Sequence, residues 1–300
     1  MDRVTKFLAH EGRVNVVCAN TTELIEEIRN LHDLTPTTTA TLGRFATISG
    51  MMGLTEIKEV DDKMTIQIKG NGPVGTIIAV VEREENISKI KVCMDNPYVE
   101  LPLKENGKID VGGAVGNTGF LNILKKNAIT DADYNGLVPL VSGEIAEDFT
   151  EYFAKSKQIP TVVALGVLVN KDGVKSAGGY IIQLMPDATE EDIQKIEKAL
   201  EIAPSITTMI SENKSLEEIA RIVTGDEEIL VLAQDPKIIY ECDCNKENFE
   251  KGLISLGKEE IENLIRENGN AEIVCHFCNK KYNFSKDELE KILEKINENQ

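Results

Sequence analysis

Apolar residues alternate with polar ones in some stretches of this chain and recur every three or four residues in others, and the two periods predict different elements. Residues 13–19, Arg-Val-Asn-Val-Val-Cys-Ala, predict a strand. Thr21 or Thr22 then caps a helix whose stripe is Leu24, Ile25, Ile28 and Leu31. Thr35-Pro36 opens a second helix, with Thr as cap and Pro at the first helical position, running through Leu42, Phe45, Ile48 and Met52. Alternation at 63–69 and 74–82 predicts two strands turned at Asn71-Gly72, and 161–169 with 174–184 a second hairpin turned at Asp172-Gly173. Between the hairpins, a helix capped by Ser142 places Ile145, Phe149, Tyr152 and Phe153 on one face, a core stripe. Strands and helices mix without a regular βαβ alternation, so residues 1–186 are expected to form an α+β core domain.

From Asp187 the texture changes. Thr189-Glu-Glu-Asp192 and Ser215-Leu-Glu-Glu218 are capping-box patterns, with Ile193, Ile196 and Leu200 following the first and Leu216, Ile219, Ile222 and Val223 the second. Pro204 interrupts the first helix and Thr224-Gly225 ends the other. Helices this short are marginal in water, so residues 187–231 are expected to be an amphipathic helical linker ordered by packing on a neighbour. Residues 232–300 form a last module, with helical turns at 248–256 and 258–268, a stop at Gly269 and a charged helix at 287–296 after Ser285.

The formal charge of −18 disfavours general binding to nucleic acid or anionic lipid. It is unevenly spread: residues 187–231 hold 12 acids against 4 bases. The N-terminus has no apolar signal core, and the apolar run at 162–169 falls far short of the ~20 residues of a membrane helix, so a cytoplasmic protein is expected. In that compartment cysteine pairs mean metal or redox chemistry rather than structural disulfides.

Four of the six cysteines fall in two close pairs, Cys242-Asp-Cys244 and Cys275-His-Phe-Cys278, separated by the 30 residues 245–274. Four thiolates supply the tetrahedron that zinc prefers, which makes Cys242, Cys244, Cys275 and Cys278 the candidate ligands of one Zn2+ per chain. His276 is then left as an exposed turn residue, since four sulfurs fill the site. Cys18 and Cys93 stand alone in apolar runs and read as core packing. His10 and His32 have no obvious nucleophile partner and read as neutral surface or core residues. The glycine-rich stretch 112–119 lacks the Gly-Lys-Ser/Thr ending of a phosphate loop and reads as turns between strands. Two other functions compete for the cysteine module. A zinc ribbon that binds nucleic acid would use His276, Phe277, Lys280, Lys281 and Tyr282, but the module is net negative and has no basic stripe. A thiol oxidoreductase using Cys275 and Cys278 would want its pair at a helix start after a strand.

Cys-x-Cys followed by Cys-x-x-Cys near the C-terminus resembles the redox-regulated heat-shock chaperone family, the bacterial holdase heat-shock protein 33. Ser142-Gly-Glu-Ile-Ala-Glu-Asp-Phe-Thr-Glu-Tyr-Phe, Gln158-Ile-Pro-Thr161, Leu165-Gly-Val167 and Ala177-Gly-Gly-Tyr-Ile-Ile-Gln-Leu-Met-Pro186 are similar to its core-domain signatures, and Thr35-Pro36 through Gly43-Arg44 to an early one. The resemblance covers nearly the whole chain. It implies a chaperone core domain, a metastable helical linker and a C-terminal zinc redox switch, and no enzymatic activity. The reduced, zinc-bound form would be inactive. Oxidation would form two disulfides among Cys242, Cys244, Cys275 and Cys278 with release of zinc. The active form, a homodimer, would hold unfolding client proteins without ATP.

Overall fold

The Thr35 hydroxyl accepts a hydrogen bond from the Thr38 amide at 3.2 Å, and Pro36 stands in the first turn, so the second helix begins where its cap and proline set it. The computed structural model describes residues 2–59, 62–126, 133–232 and 236–298. In chain order, β1 (Arg3–Ala9) and β2 (Val14–Asn20) are followed by α1 (Thr22–His32) and α2 (Pro36–Glu56). Then come β3 (Lys63–Gly70), β4 (Thr76–Glu84), β5 (Ile87–Met94), the short helix α3 (Val111–Val115), β6 (Gly119–Lys126) and β7 (Asp133–Pro139). Helix α4 (Ala146–Tyr152) continues as a π-helical turn to Lys157 and leads to β8 (Thr161–Asn170) and β9 (Gly173–Leu184). Helices α5 (Glu190–Ile202), α6 (Ile206–Ser211) and α7 (Leu216–Thr224) precede two short strands, β10 (Leu230–Val231) and β11 (Lys237–Tyr240). The rest is α8 (Lys246–Leu256), α9 (Lys258–Glu267), β12 (Asn270–Val274), β13 (Lys281–Ser285) and α10 (Lys286–Glu298). The fold is α+β.

The chain divides into two units, and the break falls between Glu241 and Cys242. The sequence reading divides it at 186/187 and 231/232. In the structure residues 187–241 belong to the first unit, because α5–α7 share a core with its sheet and because β10 and β11 complete its two sheets.

Those sheets have the orders β10-β1-β2-β9-β8 and β11-β5-β4-β3-β6-β7. Every pairing is antiparallel except β11 with β5. Helix α2 is apolar or small all round and buried from Thr37 to Leu54 apart from Arg44, as a helix packed on all sides must be. Two of its buried hydroxyls bond back to their own helix, Thr41 to the Thr37 carbonyl (2.9 Å) and Ser49 to that of Phe45 (2.7 Å). Gly53 lets α2 close on the second sheet: a Cβ there would lie 2.1 Å from Ser88 Oγ and 2.6 Å from Val81 Cγ1. Gly53→Ala is therefore expected to destabilise the first unit by about 2 kcal/mol through overpacking. Urea denaturation measures this, and an unchanged midpoint would contradict it.

The five-stranded sheet is buried on both faces. Val4, Val17, Ala19 and Ile181 join the core around α1 and α2. The alternate positions Phe7, Val14, Val16, Cys18, Tyr180 and Ile182 lie in a second core with Ile196, Met209, Ile210, Ile219 and Val223 of α5–α7. Of the linker residues expected to be buried, Ile196 and Ile219 are fully so, and Ile193, Leu200 and Ile222 are half-buried. The sheet is thus a central layer, and residues 187–231 are its cover on one side.

Three local expectations are corrected. Residues 71–75 form a longer connection between β3 and β4 than a two-residue turn, held by the Gly72 amide donating to the Val115 carbonyl (2.9 Å). Residues 111–115 are a helical turn capped by Asp110, whose Oδ1 accepts from the Gly113 amide (2.9 Å). Ser142 does not cap α4. Buried Asp148 instead gathers the amides of Val141 (2.7 Å), Ser142 (3.2 Å), Gly143 (3.3 Å) and Ile145 (2.9 Å), and the helix is capped at Ile145 and starts at Ala146.

Candidate metal centre

The second unit has a small core, with Leu253, Ile261, Phe284, Leu289, Ile292 and Ile296 at its heart. Asn245 caps α8, its Oδ1 accepting from the Asn248 amide (2.8 Å), and this fixes Cys244 just ahead of the helix. Cys275 and Cys278 sit in the turn between paired strands β12 and β13. That turn is tight: the Cys275 amide donates to the Lys280 carbonyl (3.0 Å), the Asn279 amide donates to the Cys275 carbonyl (2.8 Å), and Asn279 is left-handed at φ 55°. Ion pairs tie the elements together, Lys246 with Glu288 (2.5 Å) and Lys295 with Glu250 (2.5 Å).

The two cysteine pairs converge. Cys242 Sγ is 3.7 Å from Cys275 Sγ, Cys244 Sγ is 3.3 Å from Cys278 Sγ, and all four sulfurs lie within 4.8 Å of one another. Cys275 is buried, the other three are half-buried, and all four are free thiols. A tetrahedral ion with metal–sulfur bonds of ~2.3 Å has edges of about 3.8 Å, so this cluster is of the size such an ion needs. The donor set fits as well. Burial pushes the Cys242 and Cys278 thiols up. Burial acts the same way on Cys244, but hydrogen bonds with Tyr282 and the neighbouring cysteines outweigh it and bring that thiol down. Four thiolates this close need a cation of at least two charges among them.

Tyr282 is the residue that sequence reasoning missed, having named it only within the disfavoured nucleic-acid alternative. Its hydroxyl donates to the Cys244 carbonyl (2.8 Å) and lies 3.2 Å from Cys244 Sγ, and its ring packs on Phe249 at 4.9 Å between centroids. It pairs with Ile273 across the β12–β13 hairpin, whose turn is marked by the cysteines and Asn279. His276 is exposed, as expected. Lys281 is paired with Glu272 at 3.0 Å. Cys18 is fully buried in the core, and burial pushes its thiol up. Cys93 is half-buried opposite Ile78. The Cys275–Cys278 pair lies in a β-hairpin rather than at a helix start, which disfavours the oxidoreductase reading. Among the described residues no helix is long and apolar enough to cross a membrane.

A large α+β unit followed by a small module gathered around four convergent cysteine sulfurs defines a two-unit thiol-cluster protein. The Hsp33 protein family matches residues 2–285, and the chain belongs to that family. It is 44% identical over 296 residues to a 33 kDa chaperonin of Acetivibrio thermocellus, covering 98% of each chain. It is 42% identical to the 33 kDa chaperonin of Bacillus subtilis, covering 97% of each. The crystal structure of the 33 kDa chaperonin (heat shock protein 33 homolog) from Thermotoga maritima superposes with a TM-score of 0.88 at 34% identity, over 99% of both chains.

Proposed function

We propose that this protein is a redox-regulated, ATP-independent holdase of the cytoplasm, which binds unfolding proteins and prevents their aggregation. The convergence of four cysteine sulfurs in a module with a small core carries the reading, and the chaperonin names of its relatives support it. In the reduced state Cys242, Cys244, Cys275 and Cys278 would hold one Zn2+, with Tyr282 positioning Cys244. Zinc, when bound, would keep all four sulfurs as thiolates and tie the two ends of the module together. Oxidation by a peroxide would form Cys242–Cys244 and Cys275–Cys278 and release the zinc: each bond takes two electrons from a thiolate pair, and with two protons from water these reduce one peroxide to two waters, or to water and alcohol. Neighbours in sequence have the highest local concentration, and bonds between them leave the two cysteine pairs, 30 residues apart, no longer tied to each other.

Residues 232–300 would thus act as the switch, 187–231 as the metastable linker and 1–186 as the chaperone core. Loss of order after Glu241 would spread along the chain into α5–α7, uncovering Phe7, Val14, Val16, Tyr180 and Ile182. That apolar face, on a homodimer kept soluble by its acidic surface, would receive clients.

Light scattering of a heat-unfolding client tests the proposal. Peroxide-treated protein is expected to suppress most of the signal without nucleotide, and reduced protein little of it. Equal suppression by both forms would remove the switch, and none by either the chaperone. Peptide mapping of the oxidised form is expected to recover the two within-pair disulfides, and a dominant Cys244–Cys275 bond would contradict the untying step.

A further inference from the structure

Between β1 and β2 the chain turns through His10, Glu11 and Gly12, with φ of 51°, 58° and 91°. Two consecutive non-glycine residues in the left-handed region are uncommon, and such geometry persists only where its surroundings hold it. Here the surroundings are the two ends of the linker. The His10 amide donates to Asp226 Oδ2 at 2.5 Å. Its ring is buried, with Nδ1 3.1 Å from Asp192 Oδ1 at the start of α5 and Nε2 3.0 Å from the Thr224 carbonyl oxygen at the end of α7.

Neither ring partner can donate. The Thr224 carbonyl is an acceptor by constitution and stands among the last carbonyls of α7, the end that attracts a positive charge. The Asp192 carboxylate already accepts from Arg13 Nε (2.7 Å) and Nη2 (3.0 Å) and from the Thr189 amide and hydroxyl (both 2.8 Å). The Arg13 guanidinium first, with Thr189 helping against burial, holds its carboxyl well below the usual carboxylate range. A neutral imidazole has one N–H and one lone pair, so either tautomer would aim a lone pair at an oxygen about 3 Å away. Only the imidazolium donates at both nitrogens.

The charges around the ring agree. The turn carries Glu11, whose carboxylate is bound outward to Arg13 (2.8 Å). Helix α5 presents Asp192, with Lys195 a turn further on and paired to Glu191 (2.9 Å). Asp226 follows α7. Arg13 offsets one of the two aspartates that touch His10, and a protonated ring offsets the other.

We infer that His10 is a proton-dependent clasp, fastening both ends of the 187–231 helical segment to the five-stranded sheet when its ring is an imidazolium and loosening them when the ring loses a proton. The clasp is independent of the chaperone reading, and its test uses no chaperone activity. Its sign is fixed. Two donors face the two acceptors only when both ring nitrogens carry protons, so the fastening is present at lower pH and is lost as pH rises.

The test is amide exchange of the reduced full-length protein from about pH 6 to 8, where histidines ordinarily titrate, with NMR of the imidazole nitrogens alongside. After correction for intrinsic exchange, opening of α5 and α7 is expected to rise with pH by up to about tenfold per unit, while β3 and β4 hold. Both His10 nitrogens are expected to carry protons wherever the segment is most protected. His10→Gln is expected to open α5 and α7 at every pH and to abolish the pH dependence. Equal pH dependence in His10→Gln would overturn the clasp. So would a His10 ring carrying a single proton where wild-type protection is greatest, a result that needs no variant to fold.

Discussion

Chelating the metal from the reduced protein, or replacing Cys275 and Cys278 by serine, is expected to unfold residues 242–298 while the two sheets of the first unit stay folded. The second unit has little else to hold it. Its strands are a single two-stranded pair, which is marginal in isolation. A core of this size rarely supplies more than ~3–5 kcal/mol. A structural zinc contributes on the order of 10 kcal/mol or more, so losing it exceeds what the core can offset. Zinc quantification and amide exchange together check this. Bound zinc is expected at one per chain, and exchange protection in 242–298 is expected to vanish with it, with α5–α7 less protected as well. Undiminished protection in the Cys275→Ser, Cys278→Ser variant would refute a metal-dependent fold. Stoichiometric zinc in a Cys242→Ser, Cys275→Ser variant would refute the four-sulfur site.

Asp192→Ala is expected to cost about 3 kcal/mol in the docking of α5, the range for removing one partner of a buried charge network. Its side chain is almost wholly buried, and its loss would strand His10 Nδ1 and the Thr189 amide and leave Arg13 with Glu11 alone. The effect is expected to overlap with that of Arg13→Ala, because both break one network, so the double variant should cost clearly less than the sum. Acid is expected to act in the same direction. The Asp192 carboxyl is held below its ordinary range chiefly by Arg13, so its contribution is full above the pKa of the unfolded chain and is lost as pH falls through the folded one. Urea denaturation with exchange at α5 reads both effects. An additive double variant, or α5 protection that does not fall in acid, would contradict the network.

The parts legible in the sequence are those with local causes. Thr35-Pro36, the capping boxes at Thr189 and Ser215, and left-handed Gly225 mark helix ends because the groups that satisfy one another are neighbours in the chain. The β8–β9 hairpin and β2 were legible from their apolar runs. Strand β1 was not: its charges interrupt the alternation, although Lys6 lies in a central layer and donates to the Leu54 carbonyl. Strand β11 has four residues and pairs with β5 across some 150 positions, which leaves no local trace. The cysteine cluster was legible because its members come as two close pairs in the chain, whereas Tyr282 depends on the register of a hairpin. His10 was opaque for the plainest reason, since its partners lie 182, 214 and 216 residues away.

The sheet edges closed by β10 and β11 have a consequence during synthesis. Strand β1 gains its outer neighbour only at Leu230, and β5 only at Lys237, so both strands stay unpaired on that side until most of the chain has left the ribosome. Contacts of such sequence separation form slowly, and unpaired edges invite pairing with other chains. The nascent protein also lacks α5–α7 over Phe7, Val16 and Ile182 for most of that time. Its own birth is therefore its most aggregation-prone stage, and a chain truncated before residue 230 would remain in it.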